Sequence, residues 1–253
     1  MRDHKQLVNT QFSEQADAYL NSTVHAQGAE FELLKQAVKQ NPQASVLDLG
    51  CGAGHVSFNI APLVKKVIAY DLSLAMLDVV SQAAKSKGLT NVEIVEGMAE
   101  LLPFNENSFD FVFSRYSAHH WTDLGGVLRS VKRVLKPNGL AAFIDVVTPE
   151  LPLLDTYLQS VEVLRDASHV RDYSVAEWTK QLGESGLIVT KYHKQKLRLE
   201  FSSWIERMRT PLVFRDAILA LQQALGQEVR DYFEIDQQGS FTTDVLVIWA
   251  MTL

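Results

Sequence analysis

An aspartate running directly into a series of glycines, Val46-Leu-Asp48-Leu-Gly50-Cys-Gly52-Ala-Gly54, is the most chemically committed stretch of this chain. Glycines let the backbone turn sharply and approach a ligand closely, because no Cβ stands in the way. The acid narrows the ligand. A carboxylate at the mouth of the loop repels a pyrophosphate and holds an ammonium group. The dinucleotide fingerprint also requires the spacing Gly-x-Gly-x-x-Gly, and counting from Gly50 and Gly52 its third glycine is replaced by His55. The loop therefore points to a positively charged nucleoside. A second acid, Asp71, follows near the spacing of about 20 residues at which a carboxylate accepts hydrogen bonds from ribose hydroxyls. Further on, the adjacent His119 and His120 offer an imidazole base suited to neutral pH. Arg165, His169 and Arg171 could bind an anionic substrate group. Each has an ordinary alternative: packing for the histidines, a solvated loop for the arginines. The seven histidines form no His/carboxylate pattern of a metal site, so no metal is expected, and Cys51 between two glycines reads as a packing residue.

These residues need a scaffold, and the chain alternates strand-like and helix-like segments. Val46–Leu49, Val67–Asp71, Val92–Val95, Phe109–Phe113 and Leu140–Val147 read as strands. Ser73 reads as the N-cap of a helix closed by Gly88. After Thr122, the positions Leu124, Val127, Leu128, Val131, Val134 and Leu135 form one helical stripe, stopped by Pro137-Asn138-Gly139. Such alternation with continuous apolar strands predicts a parallel sheet covered on both faces. Ser174-Val-Ala-Glu177 spells a capping box, followed by a strand near Leu187–Leu199 and a last strand over Thr243–Met251. Residues 1–43 form a helical preface in which Phe12, Ala16 and Tyr19 share a face. Residues 149–173 and 201–238 interrupt the second half, with a helix expected around Asp216–Tyr232. The whole is expected to be one domain: cap helices over 1–43, a ligand-binding core over 44–147, and a substrate-side half over 148–253.

The chain has 253 residues, enough to bury a substantial core, and its 47% hydrophobic and 21% charged content is that of an ordinary globule. A formal charge of −6 argues against a general nucleic-acid binder. No apolar run approaches the roughly 20 residues that span a bilayer, and the N-terminus lacks the apolar core of a signal peptide. One cysteine excludes an intrachain disulfide. A cytoplasmic location is expected. Composition does not address oligomeric state.

The motifs Val46–Gly54, Tyr70-Asp71-Leu72-Ser73, Gly97-Met-Ala-Glu-Leu-Leu-Pro-Phe104, Ser108-Phe-Asp-Phe-Val112 and Arg133-Val-Leu-Lys-Pro-Asn-Gly139 occur in order. Together they resemble the class I S-adenosylmethionine-dependent methyltransferases, in particular the branch of the ubiquinone/menaquinone methyltransferases and their small-molecule relatives. The resemblance is close over residues 45–147 and looser elsewhere. It implies a doubly wound, mostly parallel, seven-stranded Rossmann-like sheet with helices on both faces and a helical cap. It implies S-adenosyl-L-methionine as cofactor and a small-molecule acceptor, methylated on O or C and acidic or quinone-like in character. Gly50 and Gly52 would face the methionine part, with Asp48 on its ammonium group and Asp71 on the ribose. Leu72 and Met76 would lie against the adenine. Many relatives carry an aspartate where this chain has Met98, so adenine recognition here would rest on apolar contact and on backbone near Ala99. Ser114 is placed with the donor site and Arg115 with the acceptor. In such proteins an aromatic preface helix folds over the cofactor, which makes Tyr19, and His25 after it, contact candidates. Ala118-His119-His120-Trp121 departs from the arginine-asparagine pair usual after the fourth strand of the quinone branch. The malonyl-carrier-protein O-methyltransferases also resemble the chain in the preface helix and the Leu-Pro-Phe segment. A protein of the same fold that binds the cofactor for regulation, without catalysis, is the alternative of a different class.

Overall fold

A computed structural model describes residues 3–13 and 28–253; Ala16, Tyr19 and His25 lie outside the described residues. One sheet contains β1 (Ser45–Leu49), β2 (Lys66–Asp71), β3 (Val92–Glu96), β4 (Phe109–Arg115), β5 (Leu135–Val147), β6 (Ile188–Leu199) and β7 (Phe241–Met251). Their spatial order is β3-β2-β1-β4-β5-β7-β6. The first five strands run parallel, and β7 inserts antiparallel between β5 and β6. This is the doubly wound, mostly parallel, seven-stranded sheet that the resemblance implied. Strand order reverses at β1, so the loops after β1 and β4 open into a shared crevice, where ligands of such sheets bind.

Period-two alternation sorts the strand side chains onto two faces. Leu47, Leu49 and Val112 pack under α5 (Leu124–Val134) and α7 (Val175–Glu184). Val46, Val67, Phe111 and Phe113 pack under α2 (Glu30–Val38) and α3 (His55–Ile60). α4 (Leu74–Ser86) seats Leu77 and Val80 against Ala69 and Cys51. The predicted start of α4 holds: the Ser73 hydroxyl accepts from Met76 N at 3.3 Å, and Gly88 ends the helix in the left-handed region at φ 69°.

Three details differ from the sequence expectation. The strands are not all doubly buried: β3 and β6 are largely exposed, because they are the two edges of the sheet. The helical stripe expected to reach Leu135 ends at Val134, and β5 begins at Leu135 instead of Leu140. The helix expected over Asp216–Tyr232 is two helices, α9 (Leu212–Ala224) and α10 (Gln227–Tyr232), separated at Leu225-Gly226.

A third core joins α6 (Pro152–Arg165), α8 (Phe201–Arg207), α9 and α10 to the end of β6 and the start of β7. Because Val147 at the end of β5 pairs with Asp244 near the start of β7, this helical layer stands at the carboxyl ends of the parallel strands. α1 (His4–Ser13) reaches it from the opposite side of the crevice: Gln11 Nε2 donates to Met208 O at 3.1 Å and the Ser13 and Ser73 hydroxyls lie 3.0 Å apart.

The capping box of α7 forms as the sequence spells it: Glu177 N donates to Ser174 Oγ at 3.2 Å and Ser174 N to Glu177 Oε2 at 2.7 Å. Ser174→Ala should therefore cost about 1 kcal/mol of stability, read as a lowered urea midpoint with an unchanged slope.

Candidate active site

The first strand delivers Asp48 and the glycine loop to the crevice. Gly50, Gly52 and Gly54 all take positive φ, at 68°, 49° and 84°, which side chains with a Cβ disfavour. A Cβ on Gly50 would collide with the Ser117 hydroxyl, whereas the space beside Gly52 is open. The loop is tied down by Gly50 N and Cys51 N, which donate to Tyr70 O at 2.9 and 3.0 Å. Asp71, at the end of β2, accepts from Gly52 N at 2.8 Å through Oδ2 and from Ser73 N at 2.9 Å through Oδ1. One acid thus couples the glycine loop to the cap of α4. Asp48 Oδ2 accepts from Ser57 N and Ser57 Oγ at 2.9 and 2.6 Å, leaving Oδ1 with no hydrogen bond.

These groups border a cavity of about 340 Å³. Leu72, Met76, Met98 and Ala99 border it too, with Gly97, where a Cβ would strike the Tyr70 hydroxyl. Tyr70 Oη donates to Met98 O at 2.9 Å and to Leu101 O at 3.2 Å, holding that wall in place. Phe12 of α1 packs toward Ala53 and Met76 on the other side. Burial raises the Asp48 carboxyl to about 7 against the hydrogen bonds from Ser57, and burial likewise raises Asp71. A cationic ligand would favour the ionised form of both.

A smaller cavity of about 80 Å³ adjoins the first and shares Phe12, Tyr116 and His120 with it. His119 and Arg165 line the smaller one. The other expected residues take other places. Arg115 borders the larger cavity; its guanidinium pairs with Glu30 at 2.8 Å and lies between the Phe31 and Tyr116 rings at 4.6 and 4.5 Å. Ser114 is buried and borders neither cavity, and the same holds for His169, whose Nε2 donates to Gln159 Oε1 at 2.9 Å. Arg171 is held by Asp155 and Glu177 at 3.1 and 3.0 Å, away from both.

Residues 47–143 match the family model described as a methyltransferase domain. An uncharacterized protein YafE of Escherichia coli is 50% identical over 199 residues, covering 79% of this chain and 96% of that protein. An uncharacterized methyltransferase YcgJ of Bacillus subtilis is 36% identical over 232 residues, covering 91% and 92%. The crystal structure of YcgJ superposes with a TM-score of 0.84 over 88% of this chain and 97% of that one, at 34% identity. The chain belongs to the class I S-adenosylmethionine-dependent methyltransferases. A larger cavity lined by a glycine loop, the buried Asp48, the half-buried Asp71 and apolar walls fits that cofactor.

On the far side of the crevice, the methyltransferase carries a partly buried network that sequence spacing did not announce. His119 Nδ1 contacts Asp145 Oδ1 at 2.7 Å, and His119 N donates to Asp145 Oδ2 at 3.2 Å. Burial alone would depress the ring, but the charge and hydrogen bond of the Asp145 carboxylate outweigh it and hold His119 up at about 9. His120 goes the other way: burial and the charged His119 beside it lower it to about 4. Its Nδ1 donates to Ser168 O at 3.0 Å, so the neutral ring presents a bare Nε2, which stands 3.9 Å from Asp166 Oδ2. Asp145 had one visible sign, a single acid within the apolar run Leu140–Val147. Tyr116 and Asp172 had none.

The pair predicts its own titration. Asp145→Asn should drop the His119 transition from about 9 to below neutrality in an imidazole NMR titration. Because the folded value lies above the ordinary 6.5, the pair's stabilisation is fully present below about 6.5 and lost as pH rises through about 9. The variant should lose that pH dependence.

Proposed function

We propose that this methyltransferase methylates an oxygen or carbon of a small-molecule acceptor held in the smaller cavity, with His120 taking the acceptor's proton. The observation carrying this reading is the shared wall. His120, neutral and with Nε2 unprotonated, stands between the cavity suited to the methyl donor and the cavity beyond it. When bound, S-adenosylmethionine supplies a methyl group activated by its sulfonium.

On the donor side, the Asp71 oxygens accept backbone N–H groups, among them those of Gly52 and Ser73, and keep further acceptor capacity for the ribose hydroxyls. Asp48 Oδ1 is available to the amino-acid ammonium. Gly50 and Gly52 admit the methionine part, while Leu72 and Met76 offer apolar contact to the adenine beside the backbone of Met98 and Ala99. On the acceptor side, the Nδ1–H bond to Ser168 O orients the His120 ring. Asp166 Oδ2 across from Nε2 stabilises the imidazolium once the proton arrives. Phe12, edge-on to His120 with ring centroids 5.0 Å apart, shields the junction from water, which in-line transfer requires.

The test is methyl-labelled S-adenosylmethionine incubated with the protein and a small-molecule extract. Label should enter the small-molecule fraction; label confined to macromolecules would overturn the reading. His120→Asn, which keeps a donor near Ser168 O, should lower kcat about 10²-fold or more with S-adenosylhomocysteine affinity within about threefold. Equal turnover would remove the base role. Asp71→Ala should weaken S-adenosylhomocysteine binding by about 1–3 kcal/mol in calorimetry.

A further inference from the structure

Asp172 borders the smaller cavity. It is 2% exposed, and its Oδ2 is buried with no hydrogen-bond partner. Its backbone is not loose. Asp172 N donates to Gln159 Oε1 at 3.1 Å and Gln159 Nε2 donates to Asp172 O at 2.9 Å. The loop carrying it is stitched to the histidine turn by Val170 N and Arg171 N, which donate to His119 O at 2.8 and 3.2 Å. The backbone that carries the carboxyl is therefore fixed, and Oδ2 is left without a partner among the described residues. A buried polar atom without a partner costs free energy, so its retention calls for a ligand.

His119 borders the same cavity. Its Nδ1 is committed to Asp145, and its Nε2 has no hydrogen bond among the described residues. The other ionised groups facing the cavity have partners of their own: Arg165 Nη1 contacts Glu162 Oε2 at 3.2 Å, and Asp166 Oδ1 accepts from Ser168 N and Oγ at 2.8 and 2.6 Å. Arg207 also faces in, from α8.

Building on the acceptor reading of this cavity, we propose that His119 Nε2–H and the Asp172 carboxyl together grip a carbonyl oxygen, so that the methyl acceptor is a small enolisable ketone. Burial, reinforced by Glu162, pushes the Asp172 carboxyl far up toward its neutral form, while Asp145 keeps His119 protonated. Both donors belong to residues that border one cavity, and an oxygen acceptor between them satisfies both. Val146, Leu197, Leu199 and Trp204 provide apolar wall, and about 80 Å³ accommodates only a compact group. An enolised ketone bound there offers oxygen or carbon as nucleophile, and its proton passes to His120 Nε2.

The test uses the whole protein saturated with S-adenosylhomocysteine, titrated calorimetrically with three probes of matched size: pentane-2,4-dione, pentane-2,4-diol and pentan-2-amine. The dione should bind at least about tenfold more tightly than either comparator. Asp172→Asn, which retains a donor, should hold the dione within about threefold, and Asp172→Ala should lose about tenfold, with S-adenosylhomocysteine affinity unchanged in both. Tightest binding of the amine would mean that Asp172 acts as an anion, and would overturn the proposal. So would a dione no tighter than the diol, or no response to either Asp172 variant. Should the dione bind as expected while no small molecule accepts label, catalysis fails and this subsite stands. Turnover on other acceptors with no dione binding overturns the subsite alone.

Discussion

The contact between His119 and Asp145 organises the wall of the smaller cavity. Asp145 belongs to β5 and is buried to 3% exposure, where an unpaired carboxylate would be strongly disfavoured. It is satisfied by the ring and backbone N–H of His119, which sit in the turn after β4. The His119 carbonyl in turn receives two N–H groups of the loop between α6 and α7. The next residue extends the chain of contacts: His120 Nδ1 donates to Ser168 O, and the His120 carbonyl accepts from His4 Nε2 at 3.1 Å. A central strand, a turn, a distant loop and the first helix are thus held around one charge pair.

That pair also separates the titration of two neighbours. The rings of His119 and His120 are 4.2 Å apart, too close for both to carry charge comfortably in a buried site. Asp145 decides which one does. His119 stays cationic and His120 stays neutral, so adjacent residues of the same type acquire opposite properties. On the donor side the acids face a comparable constraint. Asp48 is buried and Asp71 half-buried, and hydrogen bonds from Ser57, Gly52 and Ser73 hold them in place. A cationic nucleoside relieves the burden of burying them, which makes the glycine loop and the two acids a single electrostatic unit.

The donor half was legible because its determinants are local. Asp48, Gly50 and Gly52 lie within one loop, Asp71-Leu72-Ser73 within one turn, and Gly97-Met98-Ala99 within another. Backbone geometry makes each residue type recognisable, and the parallel sheet then sets the turns side by side. The acceptor half was legible only in fragments. The histidine pair was visible as a candidate, yet nothing adjacent to it in the chain says which ring carries the proton. Arg165, His169 and Arg171 looked alike as a cluster, and the fold divides them: Arg165 borders the smaller cavity, His169 serves Gln159, and Arg171 binds Asp155 and Glu177.

By itself the sequence determined the alternating sheet, the glycine turn, the capped helices and the family to which the chain belongs, since all of these follow from residue type at short spacing. Only the tertiary structure decided the charge of His119 and His120, the exposure of β3 and β6 as sheet edges, and the bare carboxyl of Asp172. Each depends on a partner or position distant in sequence: Asp145 for the histidines, strand order for the edges, and, for Asp172, a loop pinned to His119 more than one helix away. Coulomb interactions and burial act through space, and spacing along the chain does not encode them.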